Sequence, residues 1–167
     1  MAKNKLIKKI NRDFRKVDLK LFVVCMFLSF FVAYIGSGFT VIDSWYESVK
    51  PSITPPNFVF PIVWTILFYL IGVSFYYAYK FEKKDRNKIV LLFSINFILN
   101  VLWSFSFFIL HNVFFAFFVI ILLILSIISL MYFNWRKVRI ASYLLIPYLI
   151  WVCFAGILNL LILIKVS

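Results

Sequence analysis

Four stretches of this chain run for more than twenty residues without a single Asp, Glu, Lys, Arg or His: Leu21–Ile42, Ile89–Leu110, Asn112–Trp135 and Ile140–Ile164. A fifth, Pro51–Tyr79, is equally free of charge, although its first third is broken by prolines. About 20 apolar residues suffice to cross the hydrocarbon core of a bilayer as a helix. The runs therefore predict five transmembrane helices, near 21–42, 58–79, 89–110, 113–135 and 140–164. A β-barrel would alternate apolar and polar residues along each strand, whereas "FFAFFVIILLILSIISLMYF" is apolar on every side. The expected fold is an all-α membrane protein, one five-helix bundle over residues 21–167, with residues 43–57 as its one long loop.

Charge sets the expected orientation. Of 18 basic residues, eight precede the first run, five lie in Lys80–Lys88 and three in Arg136–Arg139. Five spans place all of these on one side, leaving Lys50 and Lys165 on the other. Such a bias predicts a cytoplasmic amino terminus. The net charge of +12 then reports topology and attraction to anionic lipid of the inner leaflet, and nucleic acid is not an expected partner. Within residues 1–20, Ile7, Ile10, Phe14 and Val17 recur at spacings of three and four among Lys and Arg. That pattern predicts a basic amphipathic helix on the membrane surface. The basic bias and the absence of a transit-type amino terminus point to a bacterial plasma membrane. Cys25 and Cys153 fall inside spans and read as apolar packers; no metal site and no required cofactor are expected.

Within the spans, polar and aromatic residues repeat at helical spacing. Asn96, Asn100, Trp103 and Phe107 share a face of the third span; Phe60, Trp64, Phe68 and Gly72 share one on the second; Pro147, Trp151, Ala155 and Asn159 share one on the fifth. Amides in hydrocarbon need partners, either another helix or a ligand. Trp45 and Trp135 sit where interfacial belts form, while Trp64 and Trp151 lie deeper and should face protein or ligand. Gly72 and Ala155 would leave room between the rings. The combination suits a flat aromatic ligand with a few polar substituents. With no carboxylate or lysine inside a span, an ion-coupled transporter is not indicated. His111, at the turn between the third and fourth spans, reads as a polar stop. Pro51, Pro55 and Pro56 stiffen the loop, and with Trp45 and Tyr46 it reads as a lid over a pocket bounded by Trp64, Phe68, Asn100 and Trp151. Ser29, Ala33 and Ser37, four residues apart, offer either a homodimer face or internal packing.

"WYESVKPSITPPNFVFPIVWTILFYLIG", "NFILNVLWSFSFF" and "RIASYLLIPYLIWVCFAGILN" resemble, in order and content, the three signature regions of the TspO/MBR family, that of the translocator protein or peripheral benzodiazepine receptor. The resemblance implies a five-helix bundle, commonly a homodimer, that binds porphyrins such as protoporphyrin IX and, in animals, cholesterol and benzodiazepine-like drugs. It implies a ligand site at Tyr46, Phe60, Trp64, Phe68, Asn100, Trp103, Trp151 and Ala155. It also implies, from some bacterial members, light- and oxygen-dependent porphyrin breakdown involving Trp64 and Trp151. Three functions are thus open: a tetrapyrrole sensor, sequestering protein or translocator; a porphyrin-degrading enzyme; and a ligand-tuned membrane interaction protein. This chain departs from the family in carrying Ile53 where a Trp is common. It has Ser104–Phe105 where a proline commonly follows the third-span Trp, which predicts a straighter helix. No Tyr precedes Lys165, so the cholesterol-recognition pattern is absent.

Overall fold

The computed structural model describes residues 17–166. The amphipathic helix expected over residues 1–20 therefore lies almost wholly outside the described residues. Among the described residues, five helices are long and apolar enough to cross a membrane. The first, α1, spans Leu19–Phe39 and is capped by Asp18, whose side chain accepts from the Leu21 N–H. A short α2, Ser44–Val49, occupies the long loop. The remaining elements are α3 (Val59–Phe81), α4 (Arg86–Ser104), α5 (Val113–Trp135), α6 (Arg139–Leu144) and α7 (Ile146–Val166). The five long helices lie within a few residues of the charge-free runs, and two details differ from a plain five-span reading.

The fifth span is divided. Pro147 has no N–H to give to the preceding turn, so the α6 helix stops at Leu144 and α7 restarts at Ile146. The third span does not straighten either. After Ser104 it widens into a π-turn, Phe105–Ile109, closed by the Leu110 N–H donating to the Phe105 carbonyl at 3.1 Å. Ser106 Oγ donates back to the Leu102 carbonyl at 2.7 Å, in competition with the regular ladder. The π-turn adds a residue to the turn and so places Phe107 and Phe108 side by side, ring centroids 4.9 Å apart. Such bulges recur at functional sites.

The helices pack tightly at one end and part at the other. At the tight end α1 crosses α3 where Gly72 lies against Met26 and Ser29; a Cβ on that glycine would come within 2.7 Å of Met26 Sδ and 3.3 Å of Ser29 Cβ. Ser29, fully buried, donates to the Phe68 carbonyl at 2.6 Å. Gly72 therefore permits a close crossing and leaves no space, contrary to the expectation from spacing. Of the stripe Ser29, Ala33, Ser37, Ser29 is buried against α3, while Ala33 and Ser37 line the cavity described below, Ser37 on its exposed side.

The basic connections gather at this tight end. Lys137 bridges Glu82 at 3.4 Å and pairs with Asp85, tying the loop before α4 to the turn after α5. The Lys137 hydrogen bond holds the Asp85 carboxyl below its ordinary range. Trp135 is exposed here, edge-on to Tyr143 with Arg139 over its ring, as an interfacial tryptophan should be. At the opposite end lie α2, the proline loop, His111 and Lys165, which donates to the Ser48 carbonyl at 2.7 Å.

Candidate functional site

Toward the loop end, α1, α3, α4 and α7 enclose a cavity of about 550 Å³. Tyr46, Phe60, Trp64, Phe68, Asn100, Trp103, Trp151 and Ala155 all line it. Eight positions chosen from sequence thus converge on one hollow. The rings lean on each other: Phe60 meets Trp151 edge-on at 5.8 Å, Trp64 tilts over Phe68 at 5.7 Å, and Trp103 stacks on Phe107 at 5.6 Å. Offset and edge contacts of this kind hold aromatic walls in place. No charged side chain lines the cavity among the described residues.

Two of the indoles, Trp103 and Trp151, differ in what their surroundings leave them. Trp103 Nε1 donates to Asn159 Oδ1 at 3.2 Å, and Asn159 Nδ2 donates to the Val113 carbonyl at 3.1 Å, so this ring is fixed to α7 and α5. Trp151 Nε1 is buried with no partner. A buried indole N–H normally finds an acceptor; this one has none, although its ring lines the cavity. Of the two amides on α4, Asn96 is interhelical glue, off the cavity and bonded to Ser126 Oγ at 2.8 Å. Asn100 serves both purposes: it bonds the Tyr148 hydroxyl at 3.1 Å and lines the cavity.

The loop before α3 reaches the cavity through Tyr46, Thr54 and Asn57, and Trp45, Pro51, Pro55 and Pro56 do not line it. Asp43 caps α2 by accepting from the Tyr46 N–H at 2.9 Å, and α2 carries Tyr46 down onto Phe107 and Phe108. Burial, with Glu47 adding to it, raises the Tyr46 phenol above its ordinary range, so it stays a neutral donor. Trp45 does not line the cavity; it stacks on His111 at 4.1 Å. His111 adopts φ 49 in the tight turn into α5 and sits 3.4 Å from Asp43. It is thus a clasp for the lid as well as a helix stop. Pro51, Pro55 and Pro56 shape the loop from outside, and Thr54 and Asn57 between and after them reach the cavity. Asn57 Nδ2 donates to Glu47 at 3.0 Å, leaving its Oδ1, like Thr54 Oγ1, buried without a partner. Spacing had not marked Thr54, Asn57, Gly36 or Ser104, since loop polar residues and small residues give no period.

The rim is exposed on one side. Phe30, Tyr34 and Ser37 of α1 and Pro61 and Thr65 of α3 line the cavity and are also open to the surroundings. The mouth therefore lies between the loop-end halves of α1 and α3, both helices long and apolar enough to cross a membrane.

Fold and cavity together define a multi-pass integral membrane protein that encloses an aromatic-walled pocket beneath a clasped loop. Within that class the relationship is specific. A model of the TspO/MBR family matches residues 21–164, and the chain belongs to that family. It is 41% identical over 145 residues to the tryptophan-rich protein TspO of Chlorobaculum tepidum, covering 84% of this chain and 92% of that one. Identity to the protein of the same name from Archaeoglobus fulgidus is 37% over 131 residues, 77% of this chain and 85% of the relative. The tryptophan-rich sensory protein of Cereibacter sphaeroides is 29% identical over 118 residues, 70% and 73% of the two chains.

Proposed function

We propose that the protein binds a tetrapyrrole such as protoporphyrin IX in this cavity and acts as a membrane sensor, sequestering protein or translocator for it. The observation that carries the reading is the cavity itself. Its volume of about 550 Å³ lies within the range of pockets that hold drug-sized organic ligands. Its walls are indole and phenyl rings, and the lining residues Trp151, Thr54 and Asn57 each carry a buried polar atom without a partner. The chemistry fits a flat conjugated ligand with few polar edges. Because no charged group lines the walls, carboxylates on such a ligand would point out through the mouth toward water and headgroups. The name of the Cereibacter relative supports a sensory role. The basic end faces the cytoplasm on this reading and the lid faces outward, in a bacterial plasma membrane, with homodimers as the working form.

Titrating the full chain in lipid nanodiscs with protoporphyrin IX, followed by tryptophan quenching and the Soret band, tests the proposal. Saturable quenching weakened by Trp151→Phe is expected; no quenching at micromolar porphyrin would overturn it. A second reading has one observation in its favour: two electron-rich indoles, Trp64 and Trp151, lie on the wall of the same cavity. Illumination of the complex with oxygen present separates binding from turnover. Soret bleaching that requires both tryptophans would establish an enzyme, the macrocycle supplying most of the photochemistry.

A further inference from the structure

Beside the cavity, four side chains from three helices form a line of hydrogen bonds that can run in only one direction. It begins on α5, where Ser126 Oγ lies 2.7 Å from the Leu123 carbonyl oxygen. A carbonyl only accepts, so the single hydroxyl proton of Ser126 is committed there. Asn96 approaches the same Oγ at 2.8 Å. Ser126 must accept, and the Asn96 atom facing it must be the amide nitrogen. The Asn96 oxygen then turns to Tyr148, 3.3 Å from the phenol, and takes its proton. Tyr148, fully buried and with its proton used, accepts from its other neighbour, so Asn100 presents Nδ2 at 3.1 Å. The two ends of an amide are nearly identical in shape and either could face a hydroxyl. Here a backbone carbonyl three links away decides which end does.

Asn100 Oδ1 is thereby directed away from Tyr148, toward the cavity. A Cβ placed on Gly36 would lie 4.0 Å from that oxygen and 3.8 Å from Ser104 Oγ, and Gly36, Asn100 and Ser104 all line the cavity. The missing side chain of Gly36 keeps the space in front of the oxygen open. Among the described residues nothing donates to it.

We propose that Ser126, Asn96 and Tyr148 are positioning residues that hold Asn100 as an obligate acceptor, so that the cavity selects flat aromatic ligands presenting an N–H donor at this point. An N–H on the ligand's outer edge, as on an indole or a carbazole, is the chemical type; the inner N–H groups of a porphyrin face its own ring nitrogens and do not supply it. This rests on the reading of the cavity as a site for flat aromatic ligands and narrows it. A ligand with an acceptor in that position sets two oxygens against each other in a dry site and leaves both unsatisfied. Without the relay, Asn100 is free to turn its amide over and meet either kind of ligand.

Carbazole and dibenzofuran test this, being planar three-ring molecules that differ only in N–H for O. Their binding to the full chain in nanodiscs is measured by calorimetry, beside protoporphyrin IX as reference. Wild type is expected to prefer carbazole by about tenfold, one hydrogen bond gained against one acceptor left facing another. Ser126→Ala, which lies off the cavity, is expected to bring the two within about twofold while dibenzofuran binds at least as well as before. Tyr148→Phe is expected to do the same, and Ser126→Ala decides the matter if Tyr148→Phe does not fold. A wild-type ratio near one, or a preference that survives both substitutions, overturns the inference. So does failure of carbazole to bind while protoporphyrin IX binds, which leaves the tetrapyrrole reading intact. If protoporphyrin IX alone fails and the carbazole preference holds, the tetrapyrrole reading falls and the relay stands.

Discussion

Gly36→Ala should strengthen the fold and weaken the site, and the two effects can be sized separately. Gly36 is buried in α1, two turns beyond the Gly72 crossing, and a Cβ there meets nothing closer than 3.8 Å. That is ordinary van der Waals contact, so no neighbour has to move. Replacing glycine by alanine inside a helix gains about 1 kcal/mol from chain entropy. For a chain of this length such a gain raises Tm by about 2–4 °C. The same methyl group covers Asn100 Oδ1 and Ser104 Oγ. A ligand hydrogen bond there is worth about 1 kcal/mol, and some ligand surface is displaced as well. Carbazole affinity is therefore expected to fall about tenfold. Tryptophan fluorescence during thermal unfolding reads the first effect, and carbazole calorimetry on the same sample reads the second. A lowered Tm would show that the helices close up at Gly36 as they do at Gly72. An unchanged affinity at raised Tm would refute the placement of ligand against Asn100.

Trp151→Phe keeps an aromatic wall and removes an unpartnered N–H; apo stability is expected to stay within about 1 kcal/mol, while porphyrin affinity drops several-fold in the titration above. Asn159→Leu strands the Trp103 N–H and the Val113 carbonyl together, and a loss of about 2–3 kcal/mol in denaturant unfolding is expected from two unmade bonds. Ala33→Leu is expected to fill part of the cavity and lower affinity, with the oligomeric state in sedimentation unchanged, because Ala33 faces inward. The lid should respond to acid. Hydrogen bonds from Lys50, and next from Asn57, hold the Glu47 carboxyl below its ordinary range when the lid is clasped. A depressed pKa stabilises the clasped form above the ordinary Glu value of about 4.3, and that contribution is lost as pH falls through the depressed one. Porphyrin release measured by stopped flow should thus accelerate on acidification below that range, and Glu47→Ala should make it fast and less dependent on pH.

The helices were legible because charge is prohibitive in hydrocarbon, so every long charge-free run had to become a span. The aromatic face was legible because Trp64 and Phe68, or Trp151 and Ala155, repeat every four residues and the bundle turns those faces together. Spacing says which residues share a face but not which way the face looks. That is why Ser29, Ala33 and Ser37 could be read either as a dimer contact or as internal packing, although Ser29 is buried against α3 and Ser37 stays exposed. Gly72 and Gly36 show the same limit. Both are glycines on membrane helices, yet one admits a neighbouring helix and the other opens space for a ligand, and only the crossing geometry distinguishes them. The π-turn had no marker, since Ser106 competing for the Leu102 carbonyl looks like any serine in a span. Tyr148 was overlooked because its importance lies in hydrogen-bond direction, a property of four residues on three helices.

A cavity of this size also says something about how the bundle is kept apart. Left empty, about 550 Å³ of hollow at about 24 cal/mol per Å³ would cost on the order of 13 kcal/mol, comparable to the whole stability of an ordinary domain. The helices would collapse on it unless fixed elements resisted and something covered its walls. Resistance comes from pieces that are each anchored elsewhere: Trp103 tied through Asn159 to α5, Tyr46 held by the capped α2, and Asn100 held by Tyr148. Cover would come through the mouth between Phe30, Tyr34, Pro61 and Thr65, which opens between two membrane-spanning helices. Lipid is then the standing competitor for the site, and a ligand's affinity is the difference between its contacts and those of the chain it displaces. Porphyrin affinity should accordingly change with the acyl chains of the surrounding bilayer even where headgroup and pH are held constant. A site sealed from lipid would show no such dependence, and titration in nanodiscs of matched headgroup and differing chain length decides between them.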